Sequence, residues 1–370
     1  MVTKFFCFVL LAAAIGSAGC TGFYQDINKS LLITSVLVDV GENGEPKIYF
    51  EGFRPKRASG KDKKEDRAIF IISGKTVSEV IDSLNATASN KPNFGHTKVV
   101  LFSRRAAEAG LAKYTDLFAR DQEHLLRSYV ALFDGKPEDL FSAKLPGDEF
   151  LGLHCYDLFR YYNLKSAKLM EVQVKDLFNG RYDYSRTSVL PVLTLTKHVE
   201  KIPGVSGAAV LRDFRLVTIL PEQEVPYYSL FQDSDQVSVY TIDNPIYPGS
   251  YVSLQTVNAH IRTKVAYNGT NITLTKKLEL DLTFREAQNG INLTPDQREQ
   301  IKKSLAQNLK TECDSFFDKY KAESVDIFNL EEMFRRKYPN EKVDNPLGKT
   351  ILDLVININI EGSGHYKSFD

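Results

Sequence analysis

Cys20 is the residue whose neighbours specify a chemistry. It follows Ser17, Ala18 and Gly19, and upstream lies an unbroken apolar run, residues 5–15 (FFCFVLLAAAI), behind Lys4. That run is too short for the roughly 20 apolar residues that cross a bilayer and fits the roughly 7–15 of an export-signal core. Small residues leading into a cysteine suit a processing route in which the thiol is alkylated by a diacylglyceryl group. The chain is then cut before the cysteine, and the freed amine is acylated. Ser17 stands where such signals usually have leucine, and ordinary cleavage after Ala18 or Gly19 is the alternative. Lipidation is the expected outcome. At about 0.8 kcal/mol per buried CH₂, one acyl chain holds weakly, while two or three on one residue anchor stably. Residues 1–19 thus read as a lipoprotein signal peptide and 20–30 as a lipidated tether.

The other reactive side chains lack partners. His96 has no Asp, Ser or Cys nearby in sequence and reads as a hydrogen-bonded structural histidine. His154, Cys155 and Asp157 fall in a helix-like stretch, 150–162 (FLGLHCYDLFRYY). Neighbours at i and i+1 on a helix point apart, so a thiolate–imidazole pair there would need an irregular turn. Once Cys7 leaves with the signal, Cys155 and Cys313 remain beside Cys20 and read as separate buried thiols, a bridge between them being the alternative. Gly74-Lys75-Thr76 and Gly348-Lys349-Thr350 end like phosphate-binding loops, but Ile69 and Val343 stand where the first glycine belongs. Tyr227, Tyr228 and Phe231 suit a small-molecule pocket, yet in so small a segment they are expected to be packing. No His or Cys pair has metal-ligand spacing, and neither a Gly-x-Ser-x-Gly elbow nor a dinucleotide loop occurs. No catalytic residue, metal or cofactor is expected beyond the lipid on Cys20.

The elements that would position these residues are ordinary for a packed protein. The 370 residues are 43% hydrophobic and 25% charged, with a formal net charge of +0 that gives no global pull toward nucleic acid or anionic membrane. Residues 31–40, 47–53 and 68–72 read as strands, and 76–85 as a helix with Val77, Val80, Ile81 and Leu84 on one face. The loop 54–67 (RPKRASGKDKKEDR) reads as a solvated hairpin loop, contact with anionic head groups being the alternative. Pro191 marks 189–195 as an edge strand. In the last third, Val257, Ala259, Ile261, Val265 and Tyr267 alternate, Asn268-Gly269 turns, and Ile272, Leu274, Leu278, Leu280, Leu282 and Phe284 return. Thr294, Pro295 and Gln297 then cap a long helix with Ile301, Leu305, Leu309, Cys313, Phe316 and Tyr320 on one stripe. The fold class is therefore α+β: three domains of mixed, largely antiparallel sheets with packed helices. An N-terminal domain at 31–200, a small middle domain at 201–250 and a C-terminal domain at 251–370 are expected, the last with the long capped helix on its sheet.

Residues 94–111, FGHTKVVLFSRRAAEAGL, resemble the signature of the Ger(x)C family, the C subunits of spore germinant receptors, and Arg120-Asp121 matches a later Arg-Asp pair. Residues 206–221, SGAAVLRDFRLVTILP, are similar to that family's second hairpin, and Asp326-Ile327-Phe328 stands where its Asp-x-Phe does. Thr21-Gly22 replaces the Trp-Asp common after the lipidated cysteine, and the chain has no Trp. The resemblance implies a non-enzymatic subunit lipid-anchored to the spore inner membrane, its folded part on the outer side. It would stand alongside polytopic A and B subunits in nutrient-triggered germination. A substrate-binding lipoprotein of an uptake system is the alternative.

Cells making the wild-type chain should incorporate labelled palmitate into it and cells making Cys20→Ala should not; equal labelling of the two contradicts lipidation at Cys20.

Overall fold

The computed structural model of the chain describes residues 29–55, 67–121, 125–145, 150–162, 170–197, 201–233, 237–289 and 294–361. The signal, Cys20 and most of the charged loop after Arg54 lie outside the described residues, as do the side chains of Arg120 and Asp121.

β1 (Ser30–Val40) is buried almost throughout, the pattern of a strand covered on both faces. A register shift between Ile33 and Ser35 makes Thr34 an extra residue, which keeps Leu31 and Ile33 on the same face as Val36 and Val38. β2 (Pro46–Phe53) and β3 (Arg67–Ser73) add antiparallel on one side. Thr76 accepts from the Glu79 N–H and so caps α1 (Val77–Thr87); Gly74-Lys75-Thr76 is a helix start. α1 returns the chain to β4 (Lys91–Asn93) and β5 (Val99–Ser103), both parallel to β1 on its other side. After α2 (Arg104–Ala109) and α3 (Ala112–Asp121) comes β6 (Tyr129–Phe133). After α4 (Pro137–Ser142), α5 (Leu151–Tyr162) and α6 (Val174–Asn179) comes β7 (Thr187–Leu195). The antiparallel hairpin of β8 (Pro203–Arg212) and β9 (Arg215–Pro221) completes a nine-stranded sheet, β3-β2-β1-β5-β6-β7-β8-β9 with β4 beside β1.

Its centre, β1-β5-β6-β7, is parallel and its outer pairs are antiparallel, so this is a mixed sheet as expected, with a parallel centre that the sequence reading did not give. Helices cover both faces, as parallel crossovers require. Val80 and Leu84 of α1, Ala106 of α2, Tyr114 of α3 and Leu177 of α6 share one core, and Leu140 of α4 with Leu151 and Phe159 of α5 share the other. β7 lies between β6 and β8 and is not an edge strand; its pairing with β6 begins at Val192, one residue beyond Pro191, which spares the ladder the missing N–H.

Residues 201–250, expected as a middle domain, are divided between two sheets. The 203–221 hairpin is apolar on both faces, with Ala209 and Leu211 in one core and Ala208, Val210 and Leu220 in another, so it needs cover on both sides. α7 (Val225–Phe231) supplies one cover, and β10 (Val239–Asp243) is the edge of the second sheet, β10-β11-β12-β13. There β11 (Tyr251–Tyr267) and β12 (Ile272–Ala287) form the long hairpin. The capping box of Thr294 and Gln297 starts α8 (Pro295–Ala322), whose buried stripe is the expected one with Phe317 added. α9 (Leu330–Lys337) then leads to β13 (Thr350–Ile360), which pairs parallel with β12. Val257 is exposed, not core-facing: a second register shift, between Thr256 and Asn258, makes it the extra residue.

Phe231, Phe316, Phe317 and Phe328 pack together, with Phe231 and Phe328 centroids 4.8 Å apart, and join α7 to α8. Lys276 sits at a core-facing position of β12 and is 2% exposed. Its Nζ donates to Phe231 O at 2.8 Å, Asp233 Oδ1 at 2.6 Å and Thr263 Oγ1 at 2.6 Å, which binds the end of α7 to the sheet. Burial lowers its pKa against those bonds. Asp326 explains the Asp-x-Phe segment: its carboxylate accepts from the Phe328, Leu330 and Glu331 N–H groups and starts α9. Asp326→Ala, which leaves three donors without their acceptor, should cost about 2 kcal/mol in urea unfolding. Phe328→Ala should cost about 3–5 kcal/mol; a change below about 0.5 kcal/mol for either would contradict these roles.

Candidate functional site

Ligands of open parallel sheets bind beyond the carboxyl ends of the strands. β1, β5 and β6 end at Val40, Ser103 and Phe133, and a crevice of about 780 Å³ opens there, lined by Glu42, Lys47, Arg104, Arg105, Lys136 and Glu138 among others. Its strongest charges are turned on each other. Buried Asp39, at the end of β1, accepts from Ser103 Oγ at 2.5 Å and pairs with Arg105. Ser103 in turn accepts from the Ala106 N–H at 3.1 Å and caps α2, so the start of that helix is pinned to β1. Arg104 reaches Glu108 at 2.9 Å and Asp134 at 3.2 Å. Glu138 accepts from the Tyr49 hydroxyl and from Lys47 Nζ at 2.9 Å. The Tyr49 bond, then the Lys47 bond, hold the Glu138 carboxyl at about 2 against partial burial. Tyr49 is pushed up to about 12, by burial first and then by its bond to Glu138.

Below the crevice lies a polar knot that sequence reading missed. Glu51 of β2 is fully buried. It accepts from Thr34 Oγ1 at 2.8 Å, Ser35 Oγ at 3.1 Å, the Leu151 and Gly152 N–H groups at 2.9 and 3.0 Å, and Arg67 Nε at 2.6 Å. The carboxylate thus receives the free N–H groups at the start of α5, where negative charge is favoured. Gly152 permits that approach, since a Cβ there would lie 2.2 Å from Thr34 O. A glutamate inside the apolar run IYFEGF was the available signal.

The residues singled out from sequence are not assembled into a reactive site. Cys20 lies outside the described residues. His96 is exposed on a short 3-10 turn after β4, not held as a structural histidine, while Phe94 beside it is buried against Phe50. Lys98 of the same string lies over the Tyr156 ring at 5.1 Å. His154 directs Nε2 at Pro203 O, 3.2 Å away, while Cys155 points into the sheet, its thiol pushed up by burial. Cys313 is buried and free, pushed up to about 12 by burial, so the two thiols are separate. Gly348 and Lys349 form a 3-10 turn into β13. Tyr228 and Phe231 are buried packing, and Tyr227 lies 6.5 Å from Phe316. Among the described residues no group of three or more His, Cys, Asp or Glu is placed to hold a metal ion.

A second cleft, about 350 Å³, lies where β7 and α6 meet α7, lined by Met170, Glu171, Asp176, Asp183, Tyr228 and Gln232 among others. Burial, then the charge of Glu332, raise the pKa of Asp183. The two halves of the chain are joined beside it: Arg212 donates to Ser324 O, Lys319 pairs with Glu224 at 2.7 Å, and Tyr320 donates to Glu224 at 2.6 Å.

Two mixed sheets joined through a shared core, with polar networks that fix helices to strands, define a two-part α+β protein. Comparison with known proteins places it more closely. Residues 24–195 match the family model of the spore germination protein N-terminal domain, and 206–363 match that of the spore germination B3/GerAC-like C-terminal domain. The chain is 17% identical over 300 residues to the spore germination protein GerQC of Bacillus cereus, covering 80% of this chain and 82% of that one. The crystal structure of the GerBC protein superposes with a TM-score of 0.58 at 14% identity, covering 88% of this chain and 96% of that one. The chain belongs to the Ger(x)C family of spore germination proteins, the C subunits of spore germinant receptors.

Glu138 gives the crevice a pH signature. Its folded pKa of about 2 lies below its ordinary 4.5, so its contribution to stability is complete above about pH 4.5 and is lost as pH falls toward 2. Its side chain is 54% exposed, so the contribution is screened and small. The urea midpoints of wild type and Glu138→Gln should differ by a constant above about pH 5 and converge as pH falls toward 2. A gap that does not change with pH contradicts the pairing.

Proposed function

We propose that this chain is the lipid-anchored, non-enzymatic subunit of a spore germinant receptor, held through acylated Cys20 on the outer side of the spore inner membrane beside polytopic A and B subunits. One observation carries the reading: an apolar run followed by small residues and Cys20 stands just ahead of two successive spore-germination matches, 24–195 and 206–363. Further support comes from how the polar residues are used. Asp39, Glu51 and Lys276 each fix one element to another, Asp326 starts a helix, and Cys155 and Cys313 lie in the cores. Among the described residues no helix is long and apolar enough to cross a membrane, so the acyl chains carry the attachment in this reading. The uptake-lipoprotein alternative gains nothing from the relatives found.

Spore membranes solubilised in mild detergent test partners and place together. An affinity-tagged chain should bring down multi-span proteins encoded beside its own gene, and Cys20→Ala should lower its membrane-bound fraction at least about tenfold. Recovery of an ATPase and permease with the chain, or full retention of Cys20→Ala in membranes stripped of its partners, would refute the assignment.

A further inference from the structure

The two ends of the first sheet use their charges differently. At the carboxyl ends Lys47, Arg104 and Arg105 each hold a carboxylate, and of the cations lining the crevice Lys136 makes no ion pair among the described residues. At the amino end, register gathers cations that hold none. Lys29 precedes Ser30, which pairs with Lys91, and Leu32 pairs with Phe53, the residue before Arg54. Arg127 joins them two strands along, because Tyr129 pairs with Val99 and Val99 with Ser35. All four are exposed, and none makes an ion pair or side-chain hydrogen bond among the described residues. Residues 29–32, 53–55, 90–98 and 125–128 contain no Asp or Glu, and Glu171, which accepts from the hydroxyl of Tyr129, two residues on from Arg127, is an acidic group at this end. In a chain whose formal net charge is +0, this is a local excess.

The chain that leads to Cys20 leaves from the same end. Eight residues lie between Cys20 and Lys29, a reach of at most about 32 Å over the nine steps. With Cys20 in the bilayer, the amino end of the sheet is therefore the end held nearest the head groups. Each basic residue brought up to an anionic leaflet strengthens attachment about fivefold, an effect that fades within a Debye length of about 8–10 Å. A tether of this reach lets such charges come within that range, and their attraction to the leaflet then holds them there.

We propose that the amino end of the first sheet is a docking face for an anionic phospholipid surface. Lys29, Arg54, Lys91 and Arg127 rest on the head groups, and the crevice at the carboxyl ends, on the far side of the sheet, is turned toward the surrounding medium. The proposal rests on acylation of Cys20 for the tether; the charges set the orientation.

Because Cys155 and Cys313 are buried, a fluorescent maleimide can be directed to an introduced cysteine. Ser89→Cys, beside Lys91, reports the amino end, and Lys136→Cys reports the crevice. The full acylated chain is placed on phosphatidylcholine vesicles, with or without an equal share of phosphatidylglycerol, that carry a head-group quencher. On the anionic vesicles quenching should be strong at position 89 and weak at 136. The 89 signal should fall at least about fivefold on neutral vesicles, in high salt, or when Lys29, Arg54, Lys91 and Arg127 are all replaced by Glu. All four are exposed, and an unchanged thermal unfolding curve verifies that the quadruple variant is folded. Equal quenching at both positions, or quenching at 89 that survives the charge reversal, overturns the docking face. Failure of the wild-type chain to stay on either kind of vesicle would instead overturn acylation, and the two failures are separable.

Discussion

The first sheet is organised around one buried carboxylate. Glu51 takes five hydrogen bonds from β1, β3 and the start of α5, with no exposure to solvent. A charge so placed is tolerable only when its lone pairs are occupied, and removing one partner of such an ion pair costs about 3–5 kcal/mol. The same group accounts for several local features: the extra residue at Thr34, whose hydroxyl reaches it, the glycine at 152, and the entry angle of α5. The helix it starts covers the face of the sheet on which Cys155 and Phe159 are buried. One carboxylate thus couples strand register to helix placement.

The second half repeats this device with other residues. Asp326 gathers three N–H groups to begin α9, and Lys276 gathers three acceptors to hold the end of α7. Between them lies an aromatic cluster in which Phe231 and Phe328 are central. Because α7 also packs with Val210 and Leu220, the core of the second sheet continues onto the outer strands of the first. The halves therefore share apolar surface instead of meeting at a thin polar seam, which favours movement as one body over hinge opening.

That construction suits a subunit of an assembly. Its buried charges are engaged in architecture, and four exposed cations without partners among the described residues gather at the amino end of the first sheet. A solved structure at 14% identity keeps the fold over 88% of this chain, as expected when apolar pattern and a few buried polar ties specify the structure while the surface varies.

What the sequence alone determined was local or periodic: the long β11–β12 hairpin, the capping box and stripe of α8, and the family string around Phe94. Each depends on neighbours in the chain, so each is legible there. Strand order, the parallel centre of the first sheet, and the division of residues 201–250 between two sheets depend on which apolar faces find cover, and no local pattern states that. Thr34 and Val257 show the limit closely, since one extra residue reverses which face a strand presents, and only the partner strand reveals it. Glu51 and Lys276 appear in sequence as breaks in apolar strands, and Lys29, Arg54, Lys91 and Arg127 as scattered charges. Tertiary structure alone made the first two into buried ties, because it brought their hydrogen-bonding partners from distant segments. It made the other four a surface, because strand pairing places residues far apart in the chain at one end of a sheet.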